Sequence, residues 1–233
     1  MKPLLRQVLE RSGPRIGLTP GTVDMLVGGA ATELVRAERS LCPQSRVEEV
    51  AVLVLDGAGR VECATPDGGV VIVQLVPPGQ FVRLPTGRRP GRPAPALRAV
   101  AHVESWVAVI GAGLLTTVLD RLPGDRVLQM MASSWRALSG HLYDRCQLPM
   151  LRLPDRLLFQ LGVLARDFGH PIGWGTRIEL RLTHTQLAAL VGGSRAAVCR
   201  AVGVLAHRGR LVVDGTRFVL PDACPRVAAS GRC

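Results

Sequence analysis

Lysine is almost absent from this chain: all but one of its 29 basic residues are arginine, and Lys2 is the exception. Cysteine pairs are missing too. Cys42, Cys63, Cys146, Cys199, Cys224 and Cys233 form no C-x-x-C and no zinc-like spacing, which argues against a structural metal site and against the disulfide framework of a small secreted domain. No apolar run is long enough to span a bilayer: Trp106 to Leu119 is the longest, short of the roughly 18 to 20 residues required. The opening MKPLLRQVLERSG interrupts any signal-peptide core with Glu10 and Arg11. The expectation is a cytoplasmic protein with reduced thiols and no membrane role. Enzyme signatures are equally absent. There is no nucleophile elbow, no P-loop and no cluster of metal ligands, and the five histidines have no evident partners. Neither catalysis nor a cofactor is expected.

What is present is a chain of 233 residues with a formal net charge of +11. That length accommodates two modest domains. The charge favours a polyanionic partner, because arginines release counterions from phosphate. Arginine richness also follows from GC-rich coding, so charge alone gives modest support.

From Val47 to about Ile110, short β-branched runs alternate with turn signals: VEEVAVLVLDGAGRVECA, then Pro66-Asp67-Gly68-Gly69, then VVIVQLVPPGQFV. This pattern predicts antiparallel strands in a small roll or barrel. Gly57 and Gly59 are expected to supply positive φ at a turn, and Pro77-Pro78-Gly79 to end a strand. Thr86 to Pro95, rich in Pro, Gly and Arg, reads as an exposed loop. Ala96 to Ile110 returns to strand composition, and Gly111 to Leu119 turns helical. Pro123 then suits a first helical turn, after which Val127, Met130, Met131, Ser134, Leu138 and Leu142 recur at helical spacing. One long amphipathic helix follows, expected to form a dimer seam. Pro149 and Pro154 predict a break, and Arg156 to Phe168 a further helix, with Leu157, Leu161, Leu164 and Phe168 on one side, ending at Gly169-His170-Pro171.

Residues 177 to 220, RIELRLTHTQLAALVGGSRAAVCRAVGVLAHRGRLVVDGTRFVL, are the most informative. Thr183 and Gln186 make a capping box for a short helix that buries Leu187, Leu190 and Val191. Gly192-Gly193 makes a turn. Ser194 caps a second helix with Val198, Ala201, Val202 and Leu205 inward, and Ala196, Cys199, Arg200, Gly203 and His207 outward, ending at Gly209. Strand Leu211 to Val213, an Asp214-Gly215 turn and strand Arg217 to Leu220 form a hairpin flanked by Arg208, Arg210 and Arg217. Two capped helices around a glycine turn, followed by a basic hairpin, is the winged helix-turn-helix plan, which lays its second helix in the major groove of double-stranded DNA.

LTHTQLAALVGGSRAAVCRAVGVL, together with PDRLLFQLGVLARDFG upstream and LVLDGAGRVECATPDGGVVIVQLVPPGQF before it, resembles the cyclic-AMP receptor protein and fumarate-nitrate regulator (Crp/Fnr) family of transcription factors. The resemblance runs from about residue 20 to 220. It implies an α+β chain with a cyclic-nucleotide-binding-like β-roll over 1–118, a dimerisation helix over 119–150 and a winged helix-turn-helix domain over 151–233. It implies a homodimer on an inverted repeat, with RNA polymerase as a further partner. The implied DNA-binding residues are Thr183, Thr185, Ser194, Arg195, Ala196, Cys199, Arg200 and Arg217, with Ser194 on a phosphate and Arg195 and Arg200 on bases or nearby phosphates. Arginine reads guanine O6 and N7 bidentately. Ala196 stands where many members carry an acidic residue, so the operator is expected to differ from the commonest one. In the sensor cassette, Leu84 takes the place of the family's ribose-binding glutamate and Pro95-Ala96 that of its phosphate-binding arginine and hydroxyl, so the cyclic-nucleotide pocket is read as lost. Arg88, Arg89 and Arg92 are poor substitutes in a flexible loop, Cys42 and Cys63 do not make an iron-sulfur set, and His102 reads as structural rather than as a haem ligand. The alternative is a ligand-binding or protein-interaction module that keeps the fold without regulating transcription.

Overall fold

The structure is a computed structural model that describes residues 1–42, 50–65, 67–82 and 97–222. It divides into two compact units, Met1–Leu142 and Tyr143–Cys233. The cassette residues Leu84, Arg88, Arg89, Arg92, Pro95 and Ala96, with Val47, Pro66, Cys224 and Cys233, lie outside the described residues.

The first unit opens with two helices, α1 (Lys2–Ser12) and α2 (Pro20–Gly29), ahead of the expected strands. Each carries a proline in its first turn, where the missing N–H costs nothing. Thr19 caps α2 in a reciprocal box with Thr22. Lys2 donates its ammonium to the carbonyls of Val27, Gly28 and Ala30, acceptors at the carboxyl end of α2 that helix geometry leaves without intrahelical donors.

The roll follows as two antiparallel sheets. The first holds β1 (Ala31–Val35), β7 (Ser105–Gly111), β2 (Val50–Asp56) and β5 (Phe81–Val82) in that order; the second holds β4 (Val70–Val76), β3 (Gly59–Ala64) and β6 (Leu97–Ala101). Strand β2 is covered on both faces, which is why it reads as an unbroken apolar run instead of alternating. Leu53 and Leu55 pack with Leu5, Leu9, Leu26 and Val118 of the helices. Val52 and Val54 pack instead with Val76, Ala99 and Val107 inside the roll. The glycine pair divides its labour differently from the sequence expectation. Gly57 takes φ of 86° at the turn. Gly59 does not take positive φ, and is small because a Cβ there would stand 2.7 Å from Leu41 Cδ1.

Helix α3 (Ala112–Asp120) leads to α4 (Gly124–Gln147). The expected single face of α4 resolves into two. Gln129 Nε2 donates to Pro14 O at 3.0 Å, Ser133 Oγ donates to Arg15 O at 3.0 Å, and Met130 packs on the helix-facing core. These contacts fix the rotation of the helix about its axis. They leave Leu128, Met131, Trp135, Leu138 and Leu142 outward, each between 52% and 71% exposed. Met130 therefore belongs to the inner face, Val127 and Ser134 lie between the two faces, and Leu128 and Trp135 join the outer stripe.

In the second unit α5 spans Leu153–Phe168, so Pro154 lies in its first turn and is not a break. The segment after it is not a simple terminator either. Gly169–Ile172 (β8) and Gly175–Ile178 (β9) form a hairpin that completes a four-stranded sheet, ordered β10-β11-β9-β8, with β10 (Val212–Asp214) and β11 (Arg217–Pro221). Pro171 is tolerated because β8 is an edge strand. A Cβ at Gly175 would stand 2.4 Å from Leu220 O, so only glycine lets β9 approach β11 this closely. Helices α6 (His184–Val191) and α7 (Arg195–His207) pack with α5 on this sheet.

Candidate nucleic-acid interface

Helix α6 begins at Thr183, whose Oγ1 accepts the Gln186 N–H at 3.2 Å while Gln186 Oε1 accepts the Thr183 N–H at 2.9 Å. Leu187, Leu190 and Val191 are buried, as the periodicity predicts. Gly192 ends the helix at φ of 67°, a left-handed conformation that glycine adopts without strain. The helical direction then turns by 98° into α7, within the range of helix-turn-helix units.

Ser194 caps α7, its Oγ accepting the Ala197 N–H at 3.2 Å. Val198, Ala201, Val202 and Leu205 are buried. Arg195, Ala196, Cys199, Arg200, Gly203 and His207 are all exposed, as are Thr183, Thr185 and Ser194. The amino-terminal half of α7 thus presents two guanidinium groups beside short side chains. Hydrogen-bond donors and low relief are what a groove lined with base acceptors and phosphates can receive.

The wing is tighter than the sequence suggested. Asp214 pairs with Arg217 inside the ladder, so the turn is Gly215-Thr216, with Gly215 at φ of 61°. Leu182 donates its N–H to Thr216 O at 3.2 Å and so ties the wing to the segment entering α6. Arg217 is only partly available: its Nε lies 3.5 Å from Glu179 Oε2. Arg177 donates to the other oxygen of the same carboxylate at 2.7 Å. Sequence reasoning missed Glu179 and Arg177, although the opposite charges of Arg177-x-Glu179, the second just past the end of β9, were visible two residues apart.

Comparison with known proteins agrees with this geometry. The profile of the Crp-like helix-turn-helix domain matches residues 152–224. The global nitrogen regulator of Synechocystis is 44% identical over 173 residues, covering 73% of this chain and 75% of the relative. The chain belongs to the Crp/Fnr family of transcription regulators. Further relatives of this Crp/Fnr chain include a CRP-like cAMP-activated global transcriptional regulator of Mycobacterium tuberculosis, 23% identical over 93% of the chain and 96% of the relative. Its fold matches FixK2 of Bradyrhizobium japonicum with a TM-score of 0.68 at 19% identity, covering 82% of this chain and 92% of that one. The c-di-GMP responsive regulator CLP of Xanthomonas campestris matches with a TM-score of 0.63 at 20% identity, covering 87% and 99%. The β-rich amino-terminal part, long helix and carboxy-terminal helix-turn-helix expected of the family are all present.

Other chemistry is scarce. Among the described residues no three His, Cys, Asp or Glu side chains are grouped to hold a metal ion, and no single helix is long and apolar enough to cross a membrane. Cys42 is buried, which pushes its thiol pKa up and disfavours the reactive thiolate. His102 is also buried, with its backbone N–H bonded to Ala58 O at 2.8 Å.

Proposed function

We propose that this Crp/Fnr regulator acts as a homodimer on an inverted-repeat operator, with α7 of each subunit in successive major grooves. The observation that carries the reading is the outward half of α7, where Arg195 and Arg200 stand exposed beside the capped turn at Ser194. In this reading Arg195 and Arg200 meet base edges or adjacent phosphates, and Ser194, Thr183, Thr185 and Arg217 hold phosphates. Ala196 and Cys199 line the groove without strong readout. Dimerisation runs through the outer stripe of α4: Leu128, Met131, Trp135, Leu138 and Leu142 repeat at alternating intervals of three and four, the spacing of a two-stranded coiled coil. Functionally, residues 1–118 are the sensor, 119–150 the dimerisation segment and 151–233 the reading head, with RNA polymerase as a downstream partner in the cytoplasm.

Two properties of the roll support a signal other than cyclic AMP. Its interior among the described residues is lined by Val52, Val54, Val76, Ala99, Ala101 and Val107, and the sequence carries Leu84 and Pro95-Ala96 at the cassette positions. Arg60, the guanidinium buried in the roll, is already committed to Glu38 and Glu62, and the apolar core among the described residues offers nothing to repay the desolvation of a phosphate charge.

Selection of bound sequences from a random duplex pool tests the function. The expected result is an inverted repeat with half-site centres about one helical turn, roughly 34 Å, apart. A pool that returns no shared sequence would refute the reading.

A further inference from the structure

Two arginines outside the reading surface grip the end of α6. Arg145, in the last turn of α4, donates from Nη1 to Leu190 O at 3.0 Å. Arg156, near the start of α5, donates from Nη1 to Val191 O at 2.9 Å and to Gly192 O at 3.2 Å, and from Nη2 to Leu151 O at 3.2 Å. Leu190, Val191 and Gly192 are consecutive carbonyls at the carboxyl end of α6, where helix geometry leaves acceptors without intrahelical donors and concentrates partial negative charge. Two cations at one helix end therefore serve both the hydrogen-bond and the electrostatic demand. Burial lowers the pKa of Arg145, as expected for a guanidinium withdrawn from water. Asp144, its neighbour, lies 3.9 Å from Arg166 of α5, a second tie between the end of α4 and the same unit.

The gripped segment sets the geometry of reading. Gly192 is followed at once by Gly193 and then by Ser194, which starts α7. Gly193 is itself wedged, since a Cβ there would meet Leu153 Cδ1 at 3.1 Å. Moving the Leu190 to Gly192 carbonyls moves the first residue of α7 with them. Arg145 lies three residues after Leu142, the last apolar residue of the outer stripe, on one continuous helix.

We propose that Arg145 and Arg156 are positioning residues for sequence reading: by holding the carboxyl end of α6, they set where α7 starts relative to the last turn of α4 and the start of α5. This rests on the reading of α7 as the DNA-contacting helix. The prediction differs from that for a DNA contact, because neither arginine needs to touch DNA. Loosening the grip widens the range of positions α7 adopts, so selectivity falls while non-specific phosphate attraction stays.

The test compares full-length wild type, Arg145→Ala and Arg145→Lys on the selected operator, on operators with one base pair added to or removed from the spacer, and on random duplex. In Arg145→Ala the preference for operator over random duplex is expected to fall by about tenfold, the cost of one misread base pair. Tolerance of altered spacing should widen, random-duplex affinity should stay within about twofold, and the dimer should persist in sedimentation. Arg145→Lys keeps a cation able to reach Leu190 O and should recover most of the preference. Should Arg145→Ala prove unfolded, amide exchange in Arg145→Met, which keeps the length of the side chain but has no donor for Leu190 O, replaces it, with faster exchange expected at Gly193 to Ala197 than in wild type. Equal loss on operator and random duplex, or an unchanged preference in a folded dimer, would overturn the proposal. So would unchanged exchange in the methionine variant. A wild type with no operator preference refutes the DNA-reading function itself, a result distinct from an unaltered Arg145→Ala.

Discussion

Arg217, the first residue of β11, and Glu179, which directly follows β9, stand side by side, with Arg217 Nε 3.5 Å from Glu179 Oε2. Glu179 also holds Arg177 of β9, so one carboxylate offsets part of the positive charge that Arg177 and the wing residue Arg217 would offer to phosphate. Arg217→Ala is expected to weaken all duplexes about equally. Glu179→Gln should strengthen them by up to about fivefold, the scale of a partly exposed ion pair. Each variant should also shift the slope of log affinity against log salt by about one phosphate contact, shallower for the alanine and steeper for the glutamine. Titrations of random duplex at several salt concentrations read both. A sequence-dependent loss in Arg217→Ala would place that arginine on a base instead.

Arg200 is expected to behave in the opposite way. It is exposed on the outward side of α7, one turn after Ala196. Arg200→Ala should cost roughly 1 to 3 kcal/mol on the operator and relax preference at one position per half-site, with little change on random duplex. Selection of bound sequences with the variant measures this directly. An equal loss on both classes of DNA would assign Arg200 to phosphate.

The reading head was legible because its determinants are local. Thr183 with Gln186, Gly192 and Ser194 lie within a few residues of the helix ends they set, and each makes the contact its position implies. The rotation of α4 was not legible. It is set by Gln129 and Ser133 reaching carbonyls of Pro14 and Arg15 more than a hundred residues earlier, and a helical wheel cannot show which of two apolar stripes finds that partner. Leu5 and Leu9 did carry a local signal, an i, i+4 pair that goes with α1 and its buried side. The β8–β9 hairpin was hidden because Pro171 reads as a stop unless the strand is known to be an edge. Gly59 shows the same limit, since a demand for small volume and a demand for positive φ look alike in one letter.

The outer stripe of α4 makes a prediction that separates it from the inner one. Trp135 is 71% exposed in the single chain and lies at the centre of the stripe. Trp135→Asp would bury a charge in a paired seam, at a cost of more than about 3 kcal/mol per interface, and should give a monomer at micromolar concentration. Gln129→Ala removes a hydrogen bond on the inner face and should leave the dimer intact. Sedimentation of the two variants distinguishes the faces. A dimeric Trp135→Asp would exclude this seam.

Cyclic nucleotides should neither bind at low micromolar concentration nor be needed for DNA binding. The packed core of the roll is mainly apolar among the described residues, its buried Arg60 is paired with Glu38 and Glu62, and Leu84 has no group for a ribose hydroxyl. Pro95 supplies neither charge nor N–H, and Ala96 has no hydroxyl. Calorimetry with cyclic AMP and cyclic GMP, repeated alongside a DNA titration, tests both parts. A saturable heat with a Kd at or below about 10 µM, roughly −7 kcal/mol, would contradict the expectation.

Acid should loosen the roll through Glu38. This residue is the non-glycine held at positive φ, 65°, among those described. Its N–H bonds to Ala101 O at 2.8 Å, and its carboxylate accepts from both terminal nitrogens of Arg60, including Nη1 at 2.7 Å. Arg60 is buried and also paired with buried Glu62, which Arg98 contacts from the outside. The hydrogen bonds from Arg60 hold the Glu38 carboxyl below its ordinary range, against the opposing effect of partial burial, with the charges of Arg60, His102 and Arg98 adding to the lowering. A depressed carboxylate contributes stability that is complete above the unfolded value, about 4.3, and is lost as pH falls through the lower folded value. Because the Glu38 side chain is 62% exposed, solvent screening limits the contribution to below about 1 kcal/mol. Urea unfolding of wild type and Glu38→Gln between pH 7 and pH 3 should show wild type the more stable at neutral pH, with the difference closing below about pH 4. A difference that stays constant over that range would mean that Glu38 acts through its backbone conformation and not through its charge.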